Sequence, residues 1–215
     1  MERIIIGIAG GTASGKTTLA DVLLSESGKG NAVIIRLDNY YRHRIDLTFE
    51  KRAALNYDHP DAFDVTLVID HLKALKNGIS IQQPTYDFVN HLRAKATVKT
   101  NPAPVIIVEG ILTFAMPEVL TLLDFKIYVD TPADIRVLRR VQRDIEERGR
   151  NFKSVTQQYI QTVRPMHDLF VEPSKIHADI IVPEGAFNPK ATDLLLTKVA
   201  SLVSEFHQAE KKKKK

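Results

Sequence analysis

The chain has 215 residues, 44% hydrophobic and 26% charged, with no cysteine and a formal net charge of +4. That is about one globular domain, long enough to bury a core without staples, and its composition excludes fibrous and wholly disordered architectures. The lack of cysteine excludes disulfide scaffolds, thiolate zinc sites and cysteine nucleophiles.

No apolar run approaches the roughly 18 residues of a membrane span, and Ile4-Ile5-Ile6 is too short an apolar start for a secretory signal. A soluble, cytoplasmic protein without membrane partners is expected. The positive charge is a property of one end. Lys211 to Lys215 supply five of the 30 bases, and the other 25 face 26 acids. The body of the chain is therefore close to neutral, which gives no support for a nucleic-acid partner. Residues 209–215 are expected to form a solvated, disordered tail on a single domain spanning 1–208.

Strand and helix alternate along that domain. Ile4–Ala9 is an unbroken β-branched run that stops at Gly10-Gly11, and Lys16–Ser27 carries Leu19, Val22 and Leu23 at helical spacing. Further strands are predicted over Ala32–Leu37, Val105–Val108, Phe125–Val129 and Ile180–Val182. Further helices are predicted over Val65–Leu75, Ala133–Glu147, Val155–Phe170 and Thr192–Phe206. Continuous apolar strands are buried on both faces, so the pattern implies a five-stranded parallel sheet between helical layers, an α/β three-layer sandwich. Residues 79–100 break the rhythm with Pro84 and the alternating run Thr85 to Val89. This stretch reads as a small β-hairpin insertion, either capping a site or lying as a plain surface hairpin.

Gly10, Gly11, Thr12, Ala13, Ser14, Gly15, Lys16 and Thr17 match G-x-x-x-x-G-K-[ST] at every fixed position, after a predicted strand and before a predicted helix. Average composition gives such a match roughly 4 times in 100,000 positions, so chance is a poor explanation. Glycines let backbone N–H groups converge on phosphate oxygens at a helix N-terminus, with Thr18 in its first turn. Lys16 reaches the outer phosphates, and the Thr17 hydroxyl is a hard ligand for Mg²⁺. Glu109 closes the strand Val105–Val108 at the sheet edge where ligands of open α/β folds sit. It is a second candidate for Mg²⁺, through a water, or else a helix cap or structural anion.

A guanine-reading N-K-x-D is absent, its position being held by Asp130-Thr131-Pro132. Phosphoryl transfer to a small acceptor remains, and that needs a base and cations over the transferring group. Asp38, at the end of the second strand, is a candidate base or a helix cap. Arg136, Arg140 and Arg143 share one helical face, with Leu138, Val141 and Ile145 opposite. Followed by Arg148-Gly149-Arg150, they read either as a solvated face or as a closing lid over about 140–158.

These segments carry a resemblance. They are the phosphate loop, Asp38-Asn39-Tyr40-Tyr41, the run Asn56 to Asp64 that opens Asn-Tyr-Asp-His-Pro, and Pro84-Thr85-Tyr86-Asp87-Phe88. Val108-Glu109-Gly110-Ile111-Leu112, Glu147-Arg148-Gly149-Arg150, Val163-Arg164-Pro165-Met166 and Ala178 to Pro183 complete the series. In this order the chain resembles the uridine kinases (uridine–cytidine kinases) from Ile4 to Phe206. The resemblance implies the P-loop kinase form of the sandwich and transfer of phosphate from ATP or GTP to the 5′-hydroxyl of uridine and cytidine, in pyrimidine salvage. It also implies a homotetramer.

By the same resemblance Asp38 is the base, Asp58 holds the ribose hydroxyls, and Arg150 and Gln158 contact the nucleoside alongside Tyr41. Tyr86, Phe88 and His91 belong to the hairpin over the base. Arg140 is an acceptor-side arginine, and Arg143 and Arg148 lie near the phosphates. From the residues alone, Tyr86 and Phe88 could equally be packing of the insertion, and His91 a surface residue. The competing readings are a P-loop kinase of another metabolite, like phosphoribulokinase or pantothenate kinase, and a catalytically inactive nucleotide-binding regulator. The regulator predicts loss of Asp38 or Lys16, and both are present.

Overall fold

Side chains of the central strands alternate between two separate apolar layers. In the computed structural model, which describes residues 2–213, β1 (Ile4–Gly10) sends Ile5 and Ala9 to one side and Ile6 and Ile8 to the other. β5 (Val105–Glu109) does the same with Ile106 and Val108 against Val105 and Ile107. Both faces are covered, which is why these strands read as unbroken apolar runs. With β2 (Ala32–Arg36), β6 (Phe125–Asp130) and β7 (Ile180–Pro183) they form a parallel sheet of order β2-β5-β1-β6-β7.

One layer is built by α1 (Lys16–Glu26) and α9 (Pro189–Lys213), through Leu19, Leu23, Leu195 and Val199. The other is built mainly by α3 (Val65–Lys76) and α4 (Pro117–Leu120), while the short α2 (Phe49–Ala53) buries no residue. The expected insertion is an antiparallel hairpin, β3 (Ile81–Asp87) with β4 (Leu92–Thr100), outside the main sheet. Ile81 and Tyr86 anchor it to the α3 core.

Three elements depart from the sequence reading. The helix α5 (Ala133–Glu146) is inverted: Arg136 and Arg140 face inward at 6% exposure each, and Leu138 faces out at 67%. The solvated-arginine reading of this face therefore fails. The predicted helix 155–170 is part of a longer helical run. It comprises α6 (Phe152–Gln158), a π segment (Tyr159–Val163), α7 (Arg164–Met166), a second π segment (His167–Val171), α8 (Glu172–Ser174) and a 3-10 turn (Lys175–His177). Each π segment ends just ahead of a proline, Pro165 or Pro173, and the wider turn accommodates a ring that has no N–H to donate. Last, α9 continues through Lys213, so residues 209–213 extend a helix rather than forming a loose tail. Lys214 and Lys215 lie outside the described residues. Among those residues no helix is long and apolar enough to cross a membrane.

Candidate active site

The phosphate loop joins β1 to α1 at the carboxyl edge of the sheet. It turns on Ala13 and Gly15, at φ 58° and 95°. Thr131 donates its hydroxyl to the Ser14 carbonyl at 2.8 Å and pins the loop from the end of β6. A side chain at Gly11 would run into the Arg136 guanidinium and displace it. The Ser14 hydroxyl is buried without a hydrogen-bond partner, and buried Lys16 forms no ion pair among the described residues. A glycine-held loop, an orphaned hydroxyl and an unpaired buried ammonium fit a bound polyphosphate. Thr17 and Thr18 stand exposed in the first turn of α1.

A cleft of about 930 Å³ opens from this loop. Asp38, Asp58 and Glu109 line it together with the hairpin residues and the arginines of α5. Glu109 ends β5, almost wholly buried. It accepts the Thr17 hydroxyl at 3.2 Å, with Arg36 Nε at 3.8 Å. Burial pushes its carboxyl above the usual range, and the Lys16 charge pulls it partly back. A hydroxyl and one carboxylate suit Mg²⁺, which keeps waters and phosphates as its other ligands; no group of three or more metal-ligating side chains exists among the described residues.

Asp38 sits half-buried in the 3-10 turn Leu37–Tyr40 that follows β2, and it accepts the Tyr41 hydroxyl at 3.5 Å. Its side chain caps no helix. Asp58 is buried, with its carboxyl raised by burial against the opposing charge of Arg140.

The far end of the cleft is aromatic. Tyr41 packs edge-on against Tyr57 and Tyr86, with ring centroids 5.0 and 5.1 Å apart, and Phe88 lies edge-on to Tyr86 at 5.2 Å. His91, at the hairpin tip with φ 52°, stacks on Tyr57 at 5.2 Å. Burial, then the charges of Arg150 and Arg52, lowers its pKa, so the ring is neutral at pH 7. Tyr86 is both core packing and cleft wall, which joins the two readings open for it. Phe88 is more exposed and carries Arg148 over its face at 5.1 Å.

The arginines converge on a residue that the sequence reading left out. Asp144 is fully buried; Arg143 Nη2 is 2.8 Å from its carboxylate, Arg148 and Arg150 are each 3.5 Å away, and Arg140 Nε is 3.7 Å away. Burial alone would raise this carboxyl, but Arg140 and Arg143 overcome it and hold it below the ordinary value. Arg140 also donates to the Thr12 hydroxyl and to Gln158, both at 2.9 Å, and Arg150 donates to Gln158 as well. The arginines thus form one preorganised wall. Gly149, at φ 62° in open space, makes the turn between Arg148 and Arg150. The signal for Asp144 was its spacing, four residues after Arg140 and four before Arg148. Tyr57 was also missed as a cleft residue. At the opposite end, Arg139 lies over Phe187 at 4.5 Å beside the loop.

Sequence and fold comparisons agree with this geometry. Residues 5–190 match the model of the phosphoribulokinase / uridine kinase family. A uridine kinase of Macrococcus caseolyticus is 51% identical over 202 residues, covering 94% of this chain and 98% of that protein. One of Clostridium perfringens is 48% identical over 207 residues, covering 96% and 100%. Among solved structures, phosphoribulokinase from Rhodobacter spheroides superposes with a TM-score of 0.64 at 18% identity, covering 85% of this chain and 70% of that one. The D-glycerate 3-kinase of Cryptococcus neoformans gives 0.62 at 17% identity, covering 85% and 87%. With the phosphate loop, the parallel sheet and the family match in accord, the chain is an enzyme of the phosphoribulokinase / uridine kinase family, built on the P-loop kinase fold.

Proposed function

We propose that this enzyme transfers the γ-phosphoryl group of ATP or GTP to the 5′-hydroxyl of uridine and cytidine, forming UMP and CMP in pyrimidine salvage. The observation that carries the reading is the shared cleft, which runs from the phosphate loop past Asp38 to an aromatic pocket closed by the hairpin. Relatives at about half identity that carry the name uridine kinase support the acceptor.

In this reading Asp38 accepts the proton of the attacking hydroxyl, and Asp58 holds the ribose. Tyr86, Phe88 and His91 enclose the base, while Arg140, Arg150 and Gln158 orient the nucleoside. A neutral imidazole can donate or accept, which suits both the uracil carbonyl and the cytosine amine. Lys16, Arg143 and Arg148 stabilise charge on the transferring group. Thr17 and Glu109 would hold Mg²⁺, which when bound neutralises phosphate charge. A homotetramer in the cytoplasm completes the proposal, and sedimentation equilibrium tests the assembly.

A sugar phosphate acceptor, as in a phosphoribulokinase-like enzyme, calls for cations where the hairpin presents Tyr86, Phe88 and His91. Steady-state assays with uridine, cytidine, thymidine, adenosine and pantothenate, run beside Asp38→Asn, test the reading. Turnover of uridine and cytidine is expected, with kcat lower by about 10²–10⁴ in the variant. Turnover of a non-nucleoside alone would overturn the acceptor, and an unaffected variant would overturn the base.

A further inference from the structure

Arg136 is a buried cation with no carboxylate partner among the described residues. Its guanidinium lies against the phosphate loop, close enough that a side chain at Gly11 would displace it. Nε donates to the Thr131 carbonyl at 2.9 Å, and Thr131 in turn holds the Ser14 carbonyl. Nη2 lies 3.1 Å from Nε2 of His167. A guanidinium has no acceptor, so this contact requires a lone pair on Nε2 and places the imidazole proton on Nδ1. Burial, then the Arg136 charge, lowers the His167 pKa, in keeping with a neutral ring. Glu172 Oε2 is 3.5 Å from the same nitrogen, farther than Arg136, and Asp168 and Asp130 supply more distant negative charge.

His167 opens the second π segment, and π turns displace a side chain from its α-helical position. One turn along α5 from Arg136, Arg140 makes a parallel bridge between Thr12 and Gln158. Two arginines spaced i, i+4 thus link the phosphate loop to two points on the helical run that follows the arginine wall: Arg140 bonds Thr12 directly, and Arg136 acts through Thr131, which holds Ser14.

We propose that Arg136 and His167 are a positioning pair for the triphosphate: neutral His167 orients the Arg136 guanidinium, which holds the phosphate loop in its binding shape and adds positive charge beneath it. Neither residue need touch the nucleoside. The inference rests on residues 10–18 binding a triphosphate, but not on the identity of the acceptor.

The test measures the affinity of a fluorescent ATP analogue, with no nucleoside present, alongside melting temperature and the KM of each substrate. His167→Gln keeps an acceptor near the Nε2 position, while the shorter His167→Asn does not reach it. The dissociation constant is expected to rise about tenfold in His167→Asn and in Arg136→Lys, and to stay within about twofold of wild type in His167→Gln. The double variant His167→Asn/Arg136→Lys should be no weaker than either single one, because the two act as a unit. In turnover, the donor KM should rise and the nucleoside KM should not.

Unchanged analogue affinity in His167→Asn and Arg136→Lys would overturn the pair. So would a loss in His167→Gln equal to that in His167→Asn, or weakening of both substrates in step with melting temperature. Analogue binding that follows the expected pattern in a protein inert toward uridine upholds the pair and overturns the acceptor. A wild-type protein that binds no triphosphate overturns both.

Discussion

Thr17 and Glu109 meet at 3.2 Å although 92 residues separate them in the chain. The meeting is a consequence of register: β1 and β5 run side by side with Ile8 opposite Glu109, so the carboxylate emerges where the phosphate loop turns into α1. The carboxyl of Glu109 is raised by burial, so its contribution to stability is present below its unfolded value of 4.5 and lost as pH rises through the folded one. Glu109→Gln should therefore melt higher than wild type near about pH 8, with the gap closing near about pH 5, at about 2–4 °C per kcal/mol recovered. The same variant should need more magnesium for half-maximal rate and lose about 100-fold or more in kcat. Scanning calorimetry at the two pH values and a magnesium titration check both halves. A variant that melts lower and keeps its rate would sink the assignment.

Asp144 should behave in the opposite way. Its folded pKa is depressed by the surrounding guanidinium groups despite burial, so its stabilisation is present above the unfolded value near 3.8 and disappears as pH falls through the folded one. Asp144→Asn leaves four arginines facing a neutral amide, at a cost of about 3–5 kcal/mol. At about 2–4 °C per kcal/mol, the melting temperature near neutral pH should fall by roughly 10 °C. Released from their common partner, Arg143, Arg148 and Arg150 lose their preorganised positions, and kcat/KM should drop about 10–100-fold. Thermal melts and kinetics below the lower melting temperature measure the two effects separately.

The contrast between these carboxylates shows what a sequence can carry. Strands flanked by helices advertise themselves as unbroken apolar runs, and the glycines and lysine of residues 10–17 have a spacing with a direct physical meaning. Glu109 was legible for the same reason, since it ends such a run. Helix α5 was not. Leu138 and Ile145 lie outward while Arg136 and Arg140 lie inward, so the period was readable while the buried face was not. The inversion depends on partners that come from elsewhere: Thr12 from the loop, Gln158 and His167 from the following helical run. Asp144 is a short-range partner, but nothing local marks it as buried. The π segments likewise needed the two prolines to be read as tolerated within a helix.

The hairpin end of the cleft makes a separate expectation. His91 stacks on Tyr57 and is neutral at pH 7 because burial and the charges of Arg150 and Arg52 disfavour its protonation. His91→Leu keeps the stacking volume and removes both ring nitrogens. The uridine KM should rise about 10–100-fold, the loss of one or two buried hydrogen bonds, with the donor KM unchanged. In wild type the uridine KM should stay flat through the ordinary imidazole range and climb only at lower pH, where protonation removes the acceptor. The Leu variant should lack that acid limb. A KM–pH profile for both proteins decides it, and an acid limb that survives in His91→Leu belongs to another group.

At the other end of the cleft, Arg139 lies over the Phe187 ring at 4.5 Å, and both line the cavity beside Gly15 and Thr18. A guanidinium plane and an aromatic ring at the mouth of a phosphate loop offer a stacking surface to a purine without reading its edge. Phe187 is well exposed, so it adds little to the core, and Phe187→Ala should leave the melting temperature within about 2 °C of wild type. The KM for ATP and for GTP should rise together, each by about 5–20-fold, because the lost interaction is with the face of the base and not its edge. The uridine KM should not move. Steady-state kinetics with both donors check this directly. A loss confined to one donor would mean that the edge of the purine is read here, and an unchanged KM for both would remove Phe187 from the donor site.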